Sequence, residues 1–171
     1  KSGVAIPAHG VGSTPEEVEK IAKKIGRPVV VKAQVFVTGR AEAGGIEFAD
    51  TPEAAKQGAE KIFASKIKGL SVKKVLVEEK LNIEKEFYAA VVVDNSQKIK
   101  GPVLIFSTQG GTGIEEVAAK NPERVVRVPI DILNGLSLSQ VSSTLDKMGV
   151  DDPQQKLSNA VCSLYKAFRD F

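Results

Sequence analysis

The run Val29-Val30-Val31-Lys32-Ala33-Gln34 constrains this chain more than any other stretch. It is β-branched and apolar, Pro28 opens it, and a single lysine stands inside it. The glycine-bearing stretch Thr38-Gly39-Arg40-Ala41-Glu42-Ala43-Gly44-Gly45 follows, then a short apolar run, Ile46-Glu47-Phe48. Such a pattern predicts a strand, a loop and a return strand. Side chains alternate along a strand, so Val29, Val31 and Ala33 share one face while Val30, Lys32 and Gln34 share the other. The first face is wholly apolar; the second holds a lysine between valines, costly unless its ammonium reaches an anion or water.

Composition narrows what a chain built on that unit can be. With 42% hydrophobic and 26% charged residues among 171, it falls in the ordinary globular range and is expected to fold without staples. The single cysteine, Cys162, excludes an internal disulfide framework and leans toward an intracellular setting. No apolar run approaches the roughly 20 residues of a membrane helix and no signal-peptide pattern opens the chain, so a soluble protein is expected. The net charge of +3 is spread through the sequence without the basic stripe that nucleic-acid binding requires. Lys1-Ser2-Gly3-Val4 reads as a helix tail closed by glycine, and the numbering is expected to begin inside a longer gene product.

The remaining elements read in order. Ile6 to Val11 is a first extended segment. Thr14-Pro15-Glu16-Glu17 announces a helix through an N-cap, a proline at the first position and a glutamate at the third, with Val18, Ile21, Ala22 and Ile25 on one face and Gly26 as the stop. Asp50-Thr51-Pro52-Glu53 opens another helix, expected to end near Gly69, with Ala55, Ala59, Ile62 and Phe63 on its inner face. Val72–Glu79, Glu84–Val93 and a run ending in Val103-Leu104-Ile105-Phe106-Ser107 suggest an antiparallel meander, with a turn at Asp94-Asn95-Ser96-Gln97. A second glycine-rich loop, Gln109-Gly110-Gly111-Thr112-Gly113, precedes a short helix over Ile114 to Lys120; Val125 to Val128 is a strand and Asn134-Gly135 a turn. Leu138, Val141, Leu145 and Met148 suit one late helix, and Asp152-Pro153 is expected to start another carrying Leu157, Ala160, Val161, Leu164 and Phe168. The mixed order argues for α+β rather than a regular βαβ winding.

Two constellations carry possible chemistry. For Lys32 two readings are open: an edge residue whose stem snorkels along the sheet, or a cation that meets a bound anion. Gly39, Gly44 and Gly45 let backbone amides approach an anion, and Arg40 offers a planar fork for phosphate oxygens. Loop and lysine together divide evenly between a nucleotide site and a plain interstrand connection, and neither Walker nor dinucleotide spacing is present. Glu78 and Glu86 end one strand and begin the next. They read either as carboxylates for a ribose hydroxyl or base amino group, or, with Glu79, Lys80, Glu84 and Lys85, as a solvated turn. His9 lies in a loop-like context and is not expected to be catalytic; Cys162 lies on an apolar helical stripe and reads as core.

Taken together, Val29 to Val35, Gly39-Arg40 through Ala43-Gly44-Gly45, Leu76-Val77-Glu78, Lys85-Glu86-Phe87-Tyr88 and Ser107-Thr108-Gln109-Gly110-Gly111 strongly resemble, in order and spacing, the succinyl-CoA synthetase β-subunit family, whose close relatives include citryl-CoA synthetase and malate-CoA ligase subunits. The resemblance implies an α+β ATP-grasp fold, two α+β subdomains gripping a nucleotide, incomplete here at the C-terminal end. The nucleotide-gripping subdomain would span about residues 12–100, and about 101–171 would be part of the second. Lys32 matches the strand lysine that meets the phosphates, and Gly39, Arg40 and Ala41 the phosphate loop. Glu78 matches a purine-side or ribose-side acid, Leu81 a hinge position contributing its backbone, and Glu86 the acid opening the next strand. The family's loop usually reads Gly-Arg-Gly-Lys, whereas Ala41 and Glu42 stand here, exchanging backbone freedom and a positive charge for a methyl group and a negative one. Gln109 and Gly113 stand where acidic residues are common.

The activity implied is formation of succinyl-CoA or a related acyl-CoA from carboxylate, CoA and ATP or GTP, through an acyl phosphate and a phosphohistidine on an α subunit that carries the CoA-binding domain. No catalytic or metal-binding residue is expected within the fragment; the magnesium ligands would lie beyond Phe171. A cytoplasmic setting follows, or the mitochondrial matrix in a eukaryote. Three alternatives remain: a citryl-CoA synthetase or ATP-citrate lyase type of subunit, a non-catalytic nucleotide-binding or assembly module, and an ATP-grasp ligase joining a carboxylate to an amine.

Overall fold

A computed structural model describes residues 3–37, 39–96, 100–110 and 114–170, with the side chain of Glu115 left aside. The expectations for Lys1-Ser2, Thr38, Gln97 and Gly111 to Gly113 lie outside the described residues. The chain divides into two compact units, one of residues 6–82 and the other of residues 83 onward together with the first few residues. The division falls between Asn82 and Ile83.

The 6–82 unit contains β1 (His9–Gly12), α1 (Pro15–Ile25), β2 (Val29–Ala33), β3 (Ile46–Ala49), α2 (Pro52–Ala64), β4 (Lys66–Ile67), β5 (Leu70–Ser71) and β6 (Val75–Glu79). Four strands form an antiparallel sheet in the order β1-β6-β2-β3, and β4 and β5 form a separate hairpin. The register places Val31 between Val77 and Glu47, and Lys32 between Leu76 and Ile46. The alternation read from the sequence therefore sorts real faces. Val29, Val31, Ala33, Val75 and Val77 pack in one core with Val18 and Ala22 of α1 and Ala55, Ala59 and Ile62 of α2. Gly10 and Gly12 allow α1 to approach β1: a Cβ at either would come within 2.9 Å of Ile21 or Val18. Both helices start as their caps require, the Thr14 and Thr51 hydroxyls accepting from the Glu17 and Ala54 amides at 3.2 and 3.1 Å. The Glu17 carboxylate takes the Ser13 amide at 2.7 Å, one residue before the cap itself.

Two expectations for this unit are corrected. Helix α2 stops at Ala64, not near Gly69, because Ser65 turns both its amide and its hydroxyl onto the Ile62 carbonyl and the hairpin then takes over. The strand that begins the 72–79 run pairs with β1 and β2, so it is no part of a meander with the two runs that follow.

The second unit holds that meander in another form. β7 (Tyr88–Asp94), β8 (Gly101–Ser107) and β9 (Val125–Pro129) pair consecutively and antiparallel. Between β8 and β9 come α3 (Ile114–Lys120) and a 3-10 turn at Pro122–Arg124; α4 (Leu138–Lys147) and α5 (Lys156–Asp170) close the unit. Leu104, Phe106, Ile130, Val141, Leu145, Val161 and Tyr165 form its core, with Cys162 packed at the margin. Burial raises the Cys162 thiol pKa, which suits a packing residue and not a nucleophile. Helix α5 begins at Lys156 instead of just after Pro153. The Asp152 carboxylate reaches across the intervening turn to accept from the Leu157 and Ser158 amides at 3.1 and 2.8 Å, and from the Ser158 hydroxyl at 2.8 Å. Asp152 still caps the helix, four residues ahead of it. No helix among the described residues is long and apolar enough to cross a membrane.

Candidate nucleotide site

The face of the four-stranded sheet opposite α1 and α2 carries His9, Val11, Val30, Lys32, Ile46, Phe48, Leu76 and Glu78, as the registers require. Val30 is buried there, whereas Val11 and Phe48 are exposed, Phe48 to 65%. On this face the Lys32 ammonium donates to Glu78 Oε1. The two residues stand on neighbouring strands, Val30 facing Glu78 directly and Lys32 one diagonal step away.

The pair removes the edge-strand and solvated-turn readings of these two residues. β2 is hydrogen-bonded on both sides, to β6 and to β3, so Lys32 is not on an edge. Its side chain is 33% exposed and that of Glu78 20%, a half-buried pair on a sheet surface instead of a solvated turn. Neighbouring Glu79 goes elsewhere, accepting from Arg27 at 2.7 Å. An ammonium and a carboxylate held together between apolar side chains present both a cation for phosphate oxygens and an acceptor for hydroxyl or amino groups.

The glycine loop hangs from the end of the same strand. The Arg40 guanidinium donates to the Ala33 carbonyl at 3.0 Å, and the Ala33 amide donates to the Gly45 carbonyl at 2.8 Å. The loop closes on itself through Gly45 to Arg40 at 2.7 Å, Gly44 to Ala41 at 3.1 Å and Ala43 to Gly39 at 3.3 Å, amide to carbonyl in each case. Gly45 is required at its position, since a Cβ would come within 2.9 Å of the Arg40 oxygen. Gly39, Arg40 and Ala41 thus lie on one tight, self-bonded turn anchored to the backbone of Ala33, the residue after Lys32.

Leu81 follows β6 and is 52% exposed. Glu86 belongs to the second unit. There it lines a cleft of about 550 Å³ with Ile83, Glu84, Lys85, Thr108, Gln109 and Gly110, and its carbonyl accepts from the Gly110 amide at 3.0 Å. A Cβ on Gly110 would meet Glu86 at 2.6 Å, so the glycine is what lets the two segments touch. Lys68, which the sequence reading passed over, approaches the glycine loop from the β4–β5 turn. Its signal was the Lys68-Gly69 pair between Ile67 and Leu70, a short hairpin turn hidden by the expectation of a longer helix. His9 faces Glu78 across β1 and β6, with Nδ1 2.9 Å from the Pro7 carbonyl oxygen. Among the described residues no three His, Cys, Asp or Glu side chains converge to hold a metal ion.

Two antiparallel α+β units, one presenting a lysine and an acid on the open side of its sheet and carrying a glycine loop at the end of the same strand, are the parts from which an ATP-grasp domain is made. The chain belongs to that family: the sequence profile of the ATP-grasp domain matches residues 1–171. It is 42% identical over 166 residues to the β subunit of GDP-forming succinate–CoA ligase from Thermus thermophilus, covering 97% of this chain and 43% of that subunit. It is 47% identical over 156 residues to an ADP-forming succinate–CoA ligase β subunit from Archaeoglobus fulgidus, covering 91% of this chain and 40% of that one. The chain therefore spans less than half the length of these relatives. In fold it is similar to a dinucleotide-forming acetyl-coenzyme A synthetase of Ca. Korarchaeum cryptofilum, with TM-score 0.76 at 17% identity over 99% of this chain and 76% of that one. It is also similar to the ATP citrate lyase of Methanothrix soehngenii, with TM-score 0.64 at 19% identity over 95% of this chain and 38% of that one.

Proposed function

We propose that this chain is the nucleotide-gripping part of an acyl-CoA synthetase β subunit, acting with an α subunit that supplies the CoA-binding domain and a phosphohistidine. The reaction would join succinate, or a related carboxylate, to CoA at the expense of ATP or GTP, through an acyl phosphate. The observation that carries this reading is the Lys32–Glu78 pair on the open sheet face, with the Arg40 loop anchored one residue further along the same strand. Lys32 and Arg40 would meet the phosphate oxygens, while Gly39 and Ala41 give the loop its close approach. Glu78 would take a ribose or purine donor, the Leu81 backbone would read the base, and Glu86 would be a further nucleotide-binding acid. Cations held in place in this way offset charge as a phosphoryl group is transferred, the main requirement of such chemistry. The likeness in sequence to succinate–CoA ligase β subunits supports the same reading. Soluble substrates of this kind go with a cytoplasmic or mitochondrial-matrix setting.

One observation favours a second reading, a nucleotide-binding or assembly module without activity: Glu42 puts a carboxylate on the loop and Ala41 a methyl group. Binding of ATP and GTP to the full-length subunit separates the two. The synthetase reading expects saturable binding below millimolar nucleotide, and no binding at millimolar concentration overturns it.

A further inference from the structure

The β4–β5 hairpin turns through two residues, Lys68 and Gly69, with φ of +49° and +83°. Positive angles at both positions match the right-handed twist of the flanking strands, and glycine is the usual residue for them. A lysine there accepts a steric cost that glycine avoids. What it gains is placement. Its Nζ lies 3.1 Å from the point that a Cβ on Gly39 would occupy, and Glu42 Oε2 lies 3.5 Å from the same point. The ammonium of one element thus rests against the loop of another. Lys68 and Arg40, with Val35, Phe36 and Val37, line an open cleft of about 630 Å³.

The charges make this approach informative. Residues 39–45 carry one cation, Arg40, and one anion, Glu42, so the loop alone has no net charge with which to hold a polyphosphate. Among the described residues, no carboxylate lies within 4.0 Å of either the Arg40 guanidinium or the Lys68 ammonium. Lys68 is a compact point charge with three donors on a flexible stem, suited to follow a phosphate chain, while Arg40 is tethered to the Ala33 carbonyl.

We propose that Lys68 is a binding residue for the phosphate chain of the nucleotide, supplying from the hairpin turn the second cation that the glycine loop lacks. The proposal deepens the nucleotide reading above and rests on it. Gly39 has a part in this: with no side chain, it leaves the ammonium room to lie against the loop backbone.

The test is calorimetric titration of the full-length subunit, assembled with its partner, using ATP and adenosine as probes. The variants are Lys68→Met, Lys68→Arg and Lys68→Met combined with Glu42→Lys. Lys68→Met is expected to weaken ATP binding about tenfold, the effect of one charge-assisted contact, and to leave adenosine binding unchanged. Lys68→Arg should stay within about threefold of the parent, since the charge remains. Glu42→Lys in the Lys68→Met background should restore ATP affinity, because it returns a cation to the same loop. All three variants are exposed at a turn and should melt with the parent protein. If the parent binds ATP and Lys68→Met binds it equally well, the role given to Lys68 is overturned while the nucleotide reading stands. An equal loss for ATP and adenosine also overturns it, by showing that no phosphate contact was removed. A parent protein that binds no ATP overturns both.

Discussion

The two faces of the four-stranded sheet are made from the same strands and differ by a single step in the alternation. On the face under α1 and α2, Val29, Val31, Ala33, Val75 and Val77 are shielded from water and pack in one apolar core. On the opposite face the intervening positions carry Lys32 and Glu78 in contact, with His9, Val11 and Phe48 around them. One face stabilises the fold and the other is available for chemistry. Because the side-chain period of a strand is two, a slip of one residue would bury the ion pair and expose the core, so the hydrophobic face also fixes where the charged pair stands.

Substitutions on the two faces should therefore separate activity from stability. The largest effect is expected from Lys32→Met in the complete subunit, which should abolish measurable phosphoryl transfer to the histidine while the thermal midpoint stays close to that of the parent. The half-exposed pair contributes little to stability, since solvent screens it. Unchanged turnover would break the comparison at its central point. On the covered face, Ile62→Ala should cost about 2–5 kcal/mol of unfolding free energy by leaving a cavity between α2 and the sheet. Its nucleotide affinity, measured well below the lowered midpoint, should match the parent's. A smaller effect is expected of the double change Ala41→Gly with Glu42→Lys, which should tighten ATP binding by several-fold through one added positive charge; weaker binding would mean that Glu42 has a use of its own.

The smallest effect lies away from the sheet. Burial opposes ionisation of Asp152, but the amide and hydroxyl of Ser158 and the Leu157 and Lys156 amides more than offset it, holding its carboxyl below the ordinary 3.8. A depressed folded pKa means that the contribution is fully present above the unfolded value and is lost as the pH falls through the folded one. Asp152→Ala should thus lower stability by about 1 kcal/mol at neutral pH, as removal of a helix cap does. The difference between variant and parent should close in acid, as the pH falls through the lowered folded value and the carboxylate is protonated. A gap that persists in acid would show that the loss is one of packing and not of capping.

Much of this was legible in the sequence because it is written in short-range terms. Thr14-Pro15 and Thr51-Pro52 fix where helices begin, and the valine run fixes a strand and its faces. The errors come from partners distant in the chain. Nothing local says that β6 joins β1 and β2 instead of its successor, since pairing depends on which apolar faces need cover. The sequence makes helix α2 look about five residues too long because Lys66 to Gly69 contains no proline, and the turn at Lys68-Gly69 is only two residues. The site divides in the same way. Lys32, the loop and Glu78 could be named from residue types and order, but their contact is diagonal across two strands 46 positions apart in sequence. Lys68 could not be found at all without the hairpin that carries it to Gly39.

The claim on which the rest depends is that the open sheet face is the nucleotide's side of this unit. The most direct measurement is equilibrium binding of ATP to the full-length subunit and to its Lys32→Met variant, with circular dichroism recorded on both. The account predicts saturable binding by the parent, at least a tenfold weaker constant for the variant, and superimposable spectra. Equal affinity in two equally folded proteins would contradict it.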